Sequence, residues 1–233
     1  MTDLFEKQVA ALNLDKSDWQ LVKFGDIAIQ QKKKIDRENT ELTRYVKGEH
    51  MHSEDIHLRE WGELKDEYLG PAFIRKFEKG DILYGSRRTY LRKVVVAPFD
   101  GITSNTTFVI KANEKKIDKC LLPFIMLSEG FSQHSIKNSK GSVNPYINWK
   151  DIASYEFLLP PVEQQKVYLK ILLSIDEVVS RYKDVINKLT IYKKSLMKKN
   201  FYGELRFGGF REEKVLRRLD EVAEFRRGSF PQP

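Results

Sequence analysis

The chain has 233 residues, enough for one domain of ordinary size plus an extension. Its net charge of +8 and pI of about 9.3 favour a polyanionic partner, nucleic acid before membrane. One cysteine, Cys120, excludes an internal disulfide and points to a reducing cytosol; no apolar run is long enough for a membrane span, and the mixed-charge start is not a secretory signal.

Residues 3–12 read as a short helix with Leu4, Phe5, Val9 and Leu12 on one face, followed by a compact turn-and-helix element over 19–28. The polar, basic stretch 30–37 reads as a solvated loop. From Thr43 the pattern changes to short β-branched and aromatic runs, with strands expected at 45–46, 72–77, 82–85, 93–97 and 106–110. Lys79-Gly80-Asp81 and Phe99-Asp100-Gly101 supply turns, and a helix is expected at 121–128. The pattern predicts a mixed domain, strands with helices around them, with its limit at Pro160-Pro161.

Beyond that pair, Ile171, Ile175, Val178, Tyr182, Val185, Leu189, Tyr192 and Leu196 step alternately by 4 and 3 residues. Such a seam marks a helix that supercoils with a partner. Leu172, Val179 and Ile186 widen the stripe, so the helix wants a core as well. Pro161 and Glu163 suit its first turn, Lys193, Lys194, Lys198 and Lys199 its last, and Gly203 its stop. A helix over 162–199 runs roughly 55 Å at 1.5 Å per residue, the length of a spacer. The tail then repeats the beginning: Leu216-Arg217-Arg218-Leu219-Asp220-Glu221-Val222-Ala223 aligns without a gap with Leu21-Val22-Lys23-Phe24-Gly25-Asp26-Ile27-Ala28, 195 residues earlier.

The runs Leu158-Leu159-Pro160-Pro161-Val162-Glu163-Gln164-Gln165, Ile175-Asp176-Glu177, Lys194-Ser195-Leu196-Met197 and Gly203-Glu204-Leu205-Arg206-Phe207 resemble, in order, the central spacer of type I restriction–modification specificity subunits. The resemblance implies an α/β (α+β) target-recognition domain followed by a long coiled-coil spacer helix. It assigns the DNA-recognition domain to 1–159, the spacer to 160–206 and the start of a second, truncated recognition repeat to 207–233, a half-length form. It implies a cytoplasmic, non-catalytic subunit that reads double-stranded DNA at a bipartite site and docks type I methyltransferase and restriction subunits. S-adenosylmethionine and ATP with magnesium are then expected only on those partners. Two copies are expected to pair as a homodimer through the seam. The other readings are a standalone methyltransferase or nuclease, for which no catalytic acid cluster or cofactor loop is found, and a structural coiled-coil adaptor.

That adaptor reading leaves the densest basic segment without a purpose. Residues 75–93 hold Arg75, Lys76, Lys79, Arg87, Arg88, Arg92 and Lys93 against Glu78 and Asp81. The part from Gly80 to Lys93 resembles a strand-and-loop motif of the family's recognition domains, which makes Tyr84, Ser86, Arg87, Arg88, Thr89, Tyr90, Arg92 and Lys93 candidate DNA-binding residues. Arginine forks fit guanine O6 and N7, or two phosphate oxygens, and Gly85 lets the backbone approach a duplex. The bland alternative is a basic edge strand kept soluble by its charges. Lys137, Lys140 and Ser142, in a loop over 137–144, suit phosphate contacts or form a plain turn. Asn105 pairs with adenine or closes a turn. His50 is a DNA-side polar residue or a structural one.

Three features are set aside. Asn144-Pro145-Tyr146 lacks the second proline of the adenine-methyltransferase loop. His50, His52 and His57 lack metal-ligand spacing, so no metal is expected. Cys120, beside two leucines, is expected to be a buried small residue.

Overall fold

The computed structural model describes residues 15–36, 39–201 and 217–224. The helix expected at 3–12 and the stop at Gly203 lie outside the described residues. In chain order the elements are β1 (Gln20–Lys23), α1 (Phe24–Ile27), β2 (Ala28–Gln31), β3 (Arg44–Val46), β4 (Gly62–Glu63), β5 (Phe73–Phe77), β6 (Ile82–Gly85) and β7 (Val94–Val96). There follow β8 (Gly101–Ser104), β9 (Thr107–Ala112), α2 (Leu122–Leu127), α3 (Glu129–Lys137), α4 (Trp149–Ala153), β10 (Glu156–Leu159), α5 (Val162–Phe201) and α6 (Leu219–Val222).

The central sheet runs β2-β9-β6-β7, antiparallel throughout, and is apolar on both faces. Because successive residues of a strand point to opposite sides, Ala28, Ile82, Tyr84, Val94 and Ile110 share one face. There they are buried under Phe24 and Ile27 of α1, Leu122 and Met126 of α2, Phe131 of α3 and Ile152 of α4. Leu83, Val95 and Val109 share the other face and pack with Val46, Met51, Leu58 and Phe77. Val46 and Phe77 belong to a second sheet, ordered β4-β3-β8-β5, in which only the β3–β8 pair is parallel. The layers are therefore helices, sheet, sheet. A two-stranded ladder, β1 with β10, pairs Gln20 with Leu159.

The spacer helix is one continuous element of 40 residues, about 60 Å long. The chain divides into two compact units, Met1–Ser174 and Ile175–Pro233, within this helix. At its root Gln165 is buried: Nε2 donates to Pro160 O (3.0 Å) and Lys116 O (3.2 Å), and Oε1 accepts from Asp118 N (3.0 Å). Leu169 is buried as well, and Leu172 packs against the helix-side core. Further along, Ile171, Ile175, Val178, Tyr182, Val185, Leu189 and Tyr192 are exposed and Leu196 partly so. No described helix is long and apolar enough to cross a membrane.

Several expectations change. The stretch expected as a loop is not free over its described residues 30–36: Gln30 and Gln31 lie in β2, Ile35 N donates to Ile74 O (3.0 Å), and Lys76 N donates to Lys33 O (3.1 Å). Backbone pairing of this kind leaves no apolar periodicity, and lysines are what an edge strand carries. The turn-and-helix over 19–28 begins with strand β1, whose partner β10 lies far along the chain. Gly101, read as a turn residue, opens β8; a Cβ there would come 2.5 Å from Phe77 Cζ, so only glycine fits. A second helix, α3, follows the expected one, with Ser128 Oγ accepting from Phe131 N at 3.4 Å. Cys120 is exposed, because Leu121 and Leu122 take the inward positions.

Candidate nucleic-acid interface

Along three neighbouring strands the helix-covered face turns from apolar to polar. The same-face positions run Ala28 and Gln30 on β2 and then Lys32, Ile110 and Phe108 on β9 and then Thr106, and Ile82 and Tyr84 on β6 and then Ser86. Where they become polar the helices no longer cover the sheet, and an open groove of about 470 Å³ remains. Gln30, Lys32, Ser86, Arg87, Asn105 and Thr106 line it on one side; Phe108, Tyr146, Ile147, Asn148 and Trp149 complete it. None of these is a carboxylate.

Two loops that are separate in sequence form its rim together. Arg87 bridges Tyr146 in an antiparallel contact, Arg88 N donates to Pro145 O (2.7 Å), and Ile147 N donates to Ser86 O (2.9 Å). Lys140 and Tyr146 exchange backbone hydrogen bonds of 2.7 and 2.9 Å around a tip in which Gly141 has φ +90° and Ser142 is exposed. Arg88 (φ 50°) and Arg92 (φ 47°) flank the turn Thr89–Leu91 in left-handed conformations, uncommon for non-glycine residues. Thr89 Oγ1 pairs with Ser139 Oγ at 2.9 Å, and Arg88 Nε donates to Asn144 Oδ1 at 3.3 Å. The rim is held in shape before any ligand arrives, with Arg87 and Tyr90 exposed on it.

The other candidates sort by burial. Tyr84 is 2% exposed; its hydroxyl pairs with Ser135 Oγ, and burial pushes its pKa up to about 12. It is a core residue, not a DNA contact. Ser86 and Thr89 are also buried: Ser86 lines the groove with its Oγ already donating to Thr106 O (2.6 Å), and Thr89 builds the rim. Arg92 is bound to Glu54 (3.0 Å) and Glu129 (2.6 Å). Lys93 is half-buried, which lowers its pKa, and donates to Gly48 O. His50 lies outside the groove, accepts at Nδ1 from Lys47 N (3.2 Å), and has its pKa lowered by burial. Asn105 and Arg87 line the groove, while Lys137 and Lys140 are exposed, the latter 3.3 Å from Asp151.

Gln30 and Lys32 come from the basic stretch read as a loop, and nothing local marks Tyr146, Asn148 or Trp149 as groove residues; pairing in space assembles them. Among the described residues, Gln30 Oε1 is the one buried side-chain atom with no hydrogen-bond partner, which costs about 1–3 kcal/mol. Among the described residues no group of three His, Cys, Asp or Glu side chains could hold a metal ion.

Comparison with known proteins agrees with this architecture. The chain is 25% identical over 202 residues to the Escherichia coli type I restriction enzyme EcoDI specificity subunit, covering 81% of this chain and 43% of that protein. It is 25% identical over 236 residues to the MjaVIII specificity subunit of Methanocaldococcus jannaschii, covering 91% and 51%. The HsdS subunit from Thermoanaerobacter tengcongensis shares the fold with a TM-score of 0.61 at 19% identity, covering 84% of this chain and 52% of that one. The type I S subunit from M. genitalium does so at 0.55 and 11%, covering 80% and 46%. The chain thus spans about half the length of these relatives. Residues 16–202, sheets, groove and spacer helix together, match the family model described as the type I restriction modification DNA specificity domain, and the chain belongs to that family.

Proposed function

We propose that the chain is a non-catalytic subunit that recognises double-stranded DNA through the groove and its rim. The observation that carries the reading is a preformed, carboxylate-free groove with Arg87 and Lys32 at its edge in a chain of this family. The recognition domain is 1–159 and the spacer 160–206. The methyltransferase and restriction subunits, bearing S-adenosylmethionine and ATP with magnesium, are then brought to the site that this chain selects. The segment 207–233 begins a second recognition repeat. In support, α6 repeats α1: each is four residues long, with an extended residue before it and an alanine after it (Ala28, Ala223) whose N–H closes the turn.

The test is binding to the target duplex by parent, Arg87→Ala and Arg88→Ala chains. Arg87 forms no ion pair with another described residue and lines the groove; its loss is expected to cost about 1–3 kcal/mol and relax one base position. Arg88, held by Asn144, is expected to weaken all sequences alike. Parent-like binding by both variants sinks the assignment.

The exposed seam needs a second helix, and we assign it to a second copy running antiparallel about a two-fold axis. Such a dimer holds two identical recognition domains and reads an interrupted palindrome. Sedimentation at micromolar concentration is expected to give a dimer for the parent and a monomer for the Val185→Glu, Leu189→Glu double variant. A monomeric parent removes the pairing.

A further inference from the structure

The groove's polar side chains differ in how far they are already engaged. Ser86 is spent on Thr106 O, Asn148 Nδ2 on Asp151 Oδ2 (3.1 Å), and at the rim Arg88 is spent on Asn144. Gln30 is not: its Oε1 is shut away from solvent beside the groove with no donor among the described residues, although buried acceptors are ordinarily satisfied. An acceptor with no hydrogen bond of its own to break can turn toward an incoming donor without losing one. Its position on β2 is fixed by backbone pairing to Ile110, so the amide itself is the part that turns.

A carboxamide offers one acceptor and one donor side by side, the pattern complementary to the N6 amino group and N7 of adenine in the major groove. Phe108 and Trp149, in the same groove, supply the apolar surface that suits the methyl group of the paired thymine. We propose that Gln30 is a specificity-determining residue that reads one A·T pair of the target, accepting from adenine N6 and donating to N7. This rests on the DNA-recognition reading above and adds to it a residue and a base.

The experiment is sequencing-based mapping of methylated sites after co-expression of the full chain with a type I methyltransferase subunit, for the parent, Gln30→Leu and Gln30→Glu. The parent is expected to give a motif with one such A·T position in each half-site, preferred about 5- to 150-fold over other pairs. Gln30→Leu is expected to bring that preference within about twofold at this position alone, with an unchanged or raised Tm because a buried unmet acceptor is gone. Gln30→Glu, which can only accept, is expected to move the preference toward cytosine, whose N4 donates. An unchanged motif in both variants overturns the assignment, and so does a uniform loss at every position with a lowered Tm, the mark of a structural role. A parent that yields no motif overturns the DNA-recognition reading and the assignment with it.

Discussion

Raising the salt from 50 to 200 mM is expected to weaken binding of the chain to duplex DNA about a thousandfold, the loss that goes with release of counterions from six phosphates. The loss depends on which cations are available, not on the net charge of +8 alone. Lys33 and Lys111 are engaged with Glu78, whose carboxyl their hydrogen bonds hold down at about 2, and Arg92 is engaged with Glu54 and Glu129. Lys32, Lys34, Arg87, Arg88, Lys137 and Lys140 are exposed, and of these Lys140 shares Asp151. Fluorescence anisotropy with a labelled duplex at four or more salt concentrations gives the slope. An affinity that stays flat across the range removes the electrostatic argument for these residues.

Replacing Gln165 with Ala is expected to destabilise the chain by about 3 kcal/mol. The substitution leaves Asp118 N–H and the Pro160 and Lys116 carbonyls to be satisfied elsewhere, at about 1–3 kcal/mol for each group that stays buried without a partner. For a chain of this size that corresponds to a fall in Tm of roughly 6–12 °C. Gln165→Glu keeps the acceptor for Asp118 N but has no donor for the two carbonyls, and is expected to fall as far or further because it also buries a charge. A Tm within 2 °C of the parent for the alanine variant contradicts the view that this amide fastens the root of the spacer helix. The glutamine also gives a physical reason for the Pro-Pro-Val-Glu-Gln-Gln run: Pro160 ends β10 and offers a carbonyl, Pro161 O accepts from Gln165 N at 3.0 Å as the helix starts, and Gln165 closes back over the join.

Much of this protein is written locally. The helix over Val162–Phe201 follows from its apolar period, its end charges and the proline before it, signals confined to one element. All five expected strands beyond Thr43 appear within two residues of their expected ends, since β-branched runs between turns need no partner to be recognised. The family was legible in the same spacer run, and the basic segment contains the loop that forms one rim of the groove.

Tertiary structure decided what that segment does. Tyr84, Ser86, Thr89, Arg92 and Lys93 looked alike in sequence to Arg87, yet Tyr84 points into the core and Arg92 into two carboxylates. Strand alternation makes the difference, and its sense is set only when Tyr84 pairs with Phe108 and Val94. Gln30 and Lys32 showed only as a basic stretch, because their place beside Arg87 comes from pairing between β2 and β9, nearly 80 residues apart. What the sequence determined by itself is therefore the elements and the spacer, where the cause is local period and capping. What only the tertiary structure decided is which polar side chains face the groove, because that depends on register between distant strands.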